Sequence, residues 1–284
     1  MGDNDTFTVT FHGVRGSTPC HGPDTHRYGG NTSCVSLRVG DDTPLILDLG
    51  TGVRYLGHQL RREGRPFVGA ALLTHLHWDH VQGLPFFPPV LDPDTRLDIY
   101  APTQEDGRAA GTALFEMIKP PMFPIDISAL PSTLAVHTVG DEDFSIGRFA
   151  VTSRFIPHIG PTLGYRIEHA GHSVAYLPDH QQPADGTLDI ADAVAELVEG
   201  VDVLIHDSQY TTDEFRHRAT WGHCTGDYAL HIARTFDVGT LVMFHHDPSR
   251  TDDDLESNLS CWAGDDCGPK VVLAREGMTL TPSR

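Results

Sequence analysis

The chain has 284 residues, 39% of them hydrophobic and 21% charged, a balance that suits a soluble globular protein and excludes a disordered or fibrous one. Its formal net charge is −19 and its only lysines are Lys119 and Lys270, so it lacks the rows of Lys/Arg that grip long polyanions, and duplex DNA or a large RNA is not an expected substrate. No run of 18 apolar residues and no basic leader at Met1-Gly-Asp-Asn-Asp-Thr point to a membrane span or signal peptide, and five scattered cysteines (Cys20, Cys34, Cys224, Cys261, Cys267) do not form a disulfide framework, which makes the cytoplasm the expected location.

Taken in chain order, continuous or alternating apolar runs predict strands near 7–13, 34–39 and 44–49, a helix near 51–63, a strand near 69–73, another near 97–100, a helix near 108–118 and a strand near 133–137. The second half reads as strands near 149–156, 164–168 and 173–177, a helix near 187–199, a strand near 202–205, a helix near 225–236, a strand near 240–244, a helix near 252–262 and a strand near 270–274. Thr251, with Asp254 three residues on, and Asp185 are candidate helix caps, while the proline-rich stretch 85–93 and the segment 119–131 read as loops. In both halves strands dominate first and then alternate with helices. That order predicts an α/β protein with two sheets between helices. No repeat, low-complexity tract or linker interrupts the chain, so one domain over 1–284 is expected.

Four metal-capable side chains crowd into His75-Leu-His-Trp-Asp-His80, directly after the apolar run Ala70-Ala-Leu-Leu73. Residues two apart on a strand share a face, so His75 and His77 can share one ion, whereas Asp79 and His80 reach a second only where the strand has ended. Imidazole with carboxylate suits zinc, with manganese or iron as alternatives. A surface histidine tract is the competing reading, but such a tract does not follow a buried strand. Two ions that each keep an open position need further donors. His158, Asp179 and His246 each sit where a predicted strand ends; one such residue alone is more often structural, but three repeating the same local arrangement favour ligands.

With these residues the chain resembles the metallo-β-lactamase superfamily, whose HxHxDH signature is matched by His75, His77, Asp79 and His80. Within it the chain is similar to the RNase Z and cyclic phosphodiesterase branch, through His158 followed by Gly164-Tyr-Arg-Ile167, through His206-Asp-Ser-Gln-Tyr210, and through Gly222-His-Cys-Thr225. The resemblance extends from Gly13-Val-Arg-Gly-Ser17 through Asp48-Leu-Gly-Thr-Gly52 to His246-Asp-Pro248. It implies a four-layer αββα metallo-β-lactamase sandwich, with His75, His77 and His158 on one ion, Asp79, His80 and His246 on the other, and Asp179 bridging them. His245 competes for the last position, because neighbouring residues of an extended chain cannot both point inward; the likeness favours His246. His180 is a candidate neighbour of the ligands.

Two such ions can activate water and clamp a phosphoryl group for in-line attack, but the leaving alkoxide still needs a proton. His223 can supply it, oriented by Asp207, which stands where the resemblance places a longer glutamate. Asp79, His223 and Asp207 are therefore the catalytic set. Gly13, Gly16, Gly29 and Gly30, around Arg15, Ser17, Asn31, Thr32 and Ser33, can cradle an anion or merely turn the chain, and Arg166 can touch phosphate or join a surface ion pair. The expected function is hydrolysis of a small phosphodiester such as a cyclic nucleotide or cyclic ribose phosphate, with a homodimer left open. The rivals are an acyl hydrolase, in which Tyr165 or Tyr210 would replace His223, an RNase Z-like RNA 3′ endonuclease, and a non-catalytic sensing domain of the same fold.

Overall fold

The computed structural model describes residues 5–262 and 268–283. The first sheet is built from β1 (Phe7–Gly13), β2 (Cys34–Val39), β3 (Leu45–Leu47), β4 (Val68–Leu72), β5 (Arg96–Pro102) and β6 (Thr133–Val139), with the late strand β14 (Thr279–Leu280) added beside β1. The second contains β7 (Glu142–Ile146), β8 (Phe149–Phe155), β9 (Leu163–His169), β10 (His172–Leu177), β11 (Val203–Asp207), β12 (Thr240–Phe244) and β13 (Lys270–Leu273). Each sheet is antiparallel at one end and parallel at the other: β1 to β3 form a meander and β3 to β6 run parallel, while β7 to β10 form a meander and β10 to β13 run parallel. Parallel neighbours need crossovers, and helices supply most of them. α1 (Val53–Arg62) precedes β4, α3 (Ala110–Met117) precedes β6, α4 (Asp192–Val198) precedes β11, α5 (Thr212–Arg218) and α6 (Gly226–Thr235) precede β12, and α7 (Asp252–Trp262) precedes β13; α2 (Trp78–Val81) is a single turn after β4.

The continuous apolar runs exist because both faces of each sheet are covered. On β10, Val174 and Tyr176 enter the core between the sheets while Ala175 and Leu177 face α4 and α6; β12 divides Val242 and Phe244 from Leu241 and Met243 in the same way. Helix α1 buries Val53, Leu56, Gly57 and Leu60, one stripe at helical spacing, against the outer face of the first sheet. The layers are thus helices, sheet, sheet, helices. This is the four-layer sandwich that the order of elements predicts.

Some local readings change. β7 and β14 are missing from the predicted set because Glu142-Asp-Phe-Ser-Ile146 is largely polar and β14 has only two residues. α5 is also unanticipated, although Thr211 and Glu214 form a reciprocal capping box at its start. Thr251 and Asp254 form the same kind of pair ahead of α7. Asp185, however, does not cap a helix: its carboxylate accepts from Thr187 N–H at 3.0 Å in a turn, and α4 starts only at Asp192. Cys20, Cys34 and Cys224 are free thiols, and Cys267 lies outside the described residues. Among the described residues no helix is long and apolar enough to cross a membrane.

Candidate metal centre

Strands β8, β10, β11 and β12 point the same way, and their carboxyl ends, together with that of β4, open onto one side of the sandwich. This is where α/β sheets place their ligand sites, because the chain leaves the ladder there and its side chains become free to converge. After β4 the chain delivers His75, His77, Asp79 and His80; after β8, His158; after β10, Asp179; at the end of β11, Asp207; after β12, His245. The two sheets are tied together at this point, since Tyr165 hydroxyl donates to the Leu73 carbonyl at 2.7 Å and Leu163 N–H to that of Thr74 at 2.8 Å.

Asp179, His223 and His245 form a group whose donor atoms lie within 4.8 Å of one another, and it overlaps two further clusters of the same reach, one of His75, His77, His158 and Asp179 and one of Asp79, His80 and His245. Asp179 faces both. Its Oδ2 is 3.7 Å from His75 Nε2 and 3.6 Å from His158 Nε2, while Oδ1 is 3.0 Å from His80 Nε2 and 3.1 Å from His245 Nε2. His158 Nε2 stands 3.3 Å from His77 Nδ1, and His80 Nε2 stands 3.4 Å from His245 Nε2.

One expected ligand is displaced. His246 does not face the centre: its Nε2 meets the Ala274 carbonyl at 2.9 Å and its ring packs edge-on against Tyr28. The reason is backbone geometry. His245 adopts a left-handed conformation at φ 57°, which swings its ring inward, while His246 is locked from outside by its N–H on Val14 carbonyl and its own carbonyl on Gly16 N–H, both at 3.0 Å. His245 therefore takes the place expected of His246. Gly16 also becomes intelligible, because a Cβ there would collide with the His245 ring.

Four of the five histidines have the ring nitrogen facing away from the centre held by a partner. His75 Nδ1 lies 3.0 Å from Thr74 hydroxyl, His80 Nδ1 2.8 Å from Asp48 Oδ2, His158 Nδ1 2.6 Å from Gly222 carbonyl and His245 Nδ1 2.9 Å from Gln209 Oε1. With a proton on Nδ1, each ring presents the Nε2 lone pair inward; such partners fix the tautomer and orientation of a metal-binding histidine. Asp48 is itself held by Thr74 N–H at 2.8 Å and Tyr176 hydroxyl at 2.9 Å, and Asp79 Oδ2 accepts Ser17 N–H at 2.7 Å. Asp48 and Gln209 went unassigned in the sequence reading. Both lie inside segments that carry the resemblance, Asp48-Leu-Gly-Thr-Gly52 and His206-Asp-Ser-Gln-Tyr210, but no local pattern marks either as the partner of a ligand.

The electrostatics suit a cation. Burial, reinforced by neighbouring histidines, holds His75 well below the usual imidazole range and lowers His77, and burial brings His158 to about 4, so all three offer lone pairs. Burial also opposes charge on His80, but Asp179, Asp79 and Asp48 outweigh it and push that group well above its ordinary value. The carboxylates thus create a demand for positive charge. Asp179 Oδ1 and His75 Nε2 are buried without an aligned hydrogen bond, a costly state that a cation would relieve. The observed nitrogen spacings match the roughly 3.3 Å between donors around a tetrahedral ion bonded at ~2.0–2.1 Å. The residues present fit divalent metal.

Beside the centre, His223 Nδ1 meets Asp207 Oδ2 at 2.8 Å, and the short aspartate arm is braced by Gln209 N–H at 2.9 Å and His180 N–H at 3.2 Å. Burial disfavours the imidazolium, yet Asp207 raises His223 to about 9. The other candidates move away from chemistry. Arg15 is fully buried and donates to the carbonyls of Gly29 and Arg250, Asn31 binds Glu276, and Arg166 pairs with Glu168. The glycine-rich segment is therefore a structural joint, and it meets the centre through Gly16 against the His245 ring and Ser17 N–H on Asp79. Tyr165 spends its hydroxyl on Leu73, and His180 lies behind Asp179 against His206 at 3.0 Å.

A sequence profile described as "Beta-lactamase superfamily domain" matches residues 46–246. The chain is 26% identical over 323 residues to a protein named ribonuclease Z of Natronomonas pharaonis, covering 97% of each. Among solved structures it is similar to the metallo-beta-lactamase fold protein YhfI from Bacillus subtilis (TM-score 0.72, 20% identity, 97% of this chain and 99% of that one). It is also similar to a diphosphatase from the PhnP family (TM-score 0.68, 21% identity, 96% and 97%).

Proposed function

The chain belongs to the beta-lactamase superfamily and is a metal-dependent hydrolase, and on that premise we propose that it cleaves a small phosphodiester, a cyclic nucleotide or cyclic ribose phosphate, at a centre of two divalent cations, zinc foremost. His75, His77 and His158 would hold one cation and Asp79, His80 and His245 the other, with Asp179 shared. When bound, such ions polarise a phosphoryl group and lower the pKa of water. The whole chain acts as one domain, in the cytoplasm.

The observation that carries this reading is the His223–Asp207 pair. Asp207 holds the Nδ1 proton and favours the imidazolium, which leaves Nε2–H free to protonate a departing alkoxide. Metal-bound side chains cannot do this, since their lone pairs are committed. An acyl hydrolase relying on Tyr165 is disfavoured by that hydroxyl's bond to Leu73. A non-catalytic sensor could keep the ligands, but it would have no need of the His223–Asp207 pair beside them. RNA 3′ processing is the second reading, favoured by the ribonuclease Z relative; the charge of −19 and the two lysines weigh against a long polyanion.

His223→Ala tests the assignment. It should slow hydrolysis of a cyclic nucleotide ~10²–10⁴-fold while largely sparing bis(nitrophenyl) phosphate, whose leaving group needs no proton, with metal content unchanged. Equal losses on both substrates would move His223 to metal binding or folding. Precursor tRNA cleaved as fast as a small cyclic phosphate would replace the first reading by the second.

A further inference from the structure

Ser17 stands exposed at the edge of the Asp79, His80 and His245 cluster. Its N–H meets Asp79 Oδ2 at 2.7 Å, and the same carboxylate oxygen lies 3.1 Å from His245 Nε2 and 3.3 Å from His80 Nε2. Its hydroxyl oxygen is 3.3 Å from Gln209 Nε2, and Gln209 Oε1 in turn meets His245 Nδ1 at 2.9 Å. The residue is thus joined to this cluster twice, through its backbone and through its side chain. Of the other short polar side chains in the glycine-rich segment, Asn31 is bound to Glu276 and Ser33 is buried.

The proton inventory leaves this hydroxyl with a free donor. A His245 ring that presents its Nε2 lone pair inward carries its proton on Nδ1 and donates it to Gln209 Oε1. The Gln209 amide nitrogen then faces Ser17 and can only donate, so Ser17 Oγ is the acceptor of that bond. Its own O–H is left over, and among the described residues the hydroxyl makes no second hydrogen bond.

The backbone supplies an independent sign. Ser17 has φ 62°, and Thr18 N–H closes back onto the Gly16 carbonyl at 2.6 Å, a three-residue turn around a positive φ. That turn is strained for a residue with a Cβ and readily adopted by glycine. It persists because Gly16 N–H on the His246 carbonyl and Ser17 N–H on Asp79 pin it from both sides. Backbone strain of this kind concentrates at functional sites. Glycine would make the same backbone bonds without the strain, so what the serine adds is its hydroxyl.

We propose that the Ser17 hydroxyl donates a hydrogen bond to a non-bridging oxygen of the substrate's phosphoryl group, seating that group over the Asp79, His80 and His245 half of the centre. This rests on the phosphodiesterase reading and adds a substrate-binding residue to it. Ser17 serves an oxygen that stays on phosphorus, whereas His223 serves the oxygen that leaves, so the two residues respond differently to a change of leaving group.

The test uses the zinc-loaded protein. By titration calorimetry, Ser17→Ala should weaken binding of inorganic phosphate ~10- to 150-fold, the range for a hydrogen bond to a charged group. Ser17→Gly, which also lacks the hydroxyl but relieves the backbone, should show the same loss. Competition with a chelator should find metal affinity unchanged in both variants. In both, kcat/KM should fall by a similar factor for a cyclic nucleotide and for bis(nitrophenyl) phosphate, unlike the selective loss expected of His223→Ala. No phosphate binding by the wild type, or binding unmoved in both variants, would overturn the proposal even if both diesters are hydrolysed. Metal affinity falling in step with phosphate affinity would overturn it as well, because the hydroxyl would then act through Gln209 on His245. A loss in Ser17→Ala that is absent in Ser17→Gly would assign the effect to the backbone, again against the proposal. Weaker phosphate binding in both variants, with neither diester hydrolysed by the wild type, would keep the donor and overturn the reaction.

Discussion

The two halves of the centre are assembled in opposite ways. After β4, one turn of chain delivers His75, His77, Asp79 and His80 within six residues. The second sheet contributes single residues, His158, Asp179, Asp207 and His245, each from a different strand end, and His223 from the approach to α6. The local half is positioned by its own turn and by Asp48, which grips both Thr74 and His80. The distributed half depends on the strand register and on contacts such as His245 with Gln209 and His158 with Gly222. A contiguous motif can therefore be recognised without its fold, whereas a distributed one exists only once the fold has formed.

Asp179 is the one side chain that faces both clusters, so removing it should blur the distinction most. Asp179→Ala should lower metal content from about two equivalents to well below one, by elemental analysis, because a carboxylate shared between two ions serves both. Loss of a single equivalent would instead make it a terminal ligand of one cluster.

The next contrast lies inside the distributed half. His245→Ala should remove one equivalent of metal. His246→Ala should keep both but lower stability by about 1–3 kcal/mol in denaturant unfolding, because it leaves the Ala274 carbonyl buried without its partner. The reverse outcome would return the ligand role to His246.

The smallest effects should come from the residues that aim the rings. Asp48→Asn and Gln209→Ala should each weaken metal binding roughly 10–100-fold. Asp48→Asn should sit at the upper end, because a carboxylate holds His80 where only a neutral amide holds His245. Competition with a chelator measures both. Equal losses would mean that the charge on Asp48 contributes nothing beyond orientation.

The two-sheet architecture is legible in the order of residues, since strands with both faces covered must be apolar throughout and crossover helices leave their stripes at helical spacing, as in β10 and α1. The sequence by itself also determined the local half of the centre, because those side chains are neighbours along the chain. The pairing of His223 with Asp207 was legible only through resemblance, being sixteen residues apart and joined by no local geometry. The choice between His245 and His246 was made by the tertiary structure alone. Both are histidines at a strand end, and no side-chain property separates them. What decides is a left-handed backbone at His245 and the clamp of Val14 and Gly16 on His246, contacts from the other end of the chain that no local pattern encodes.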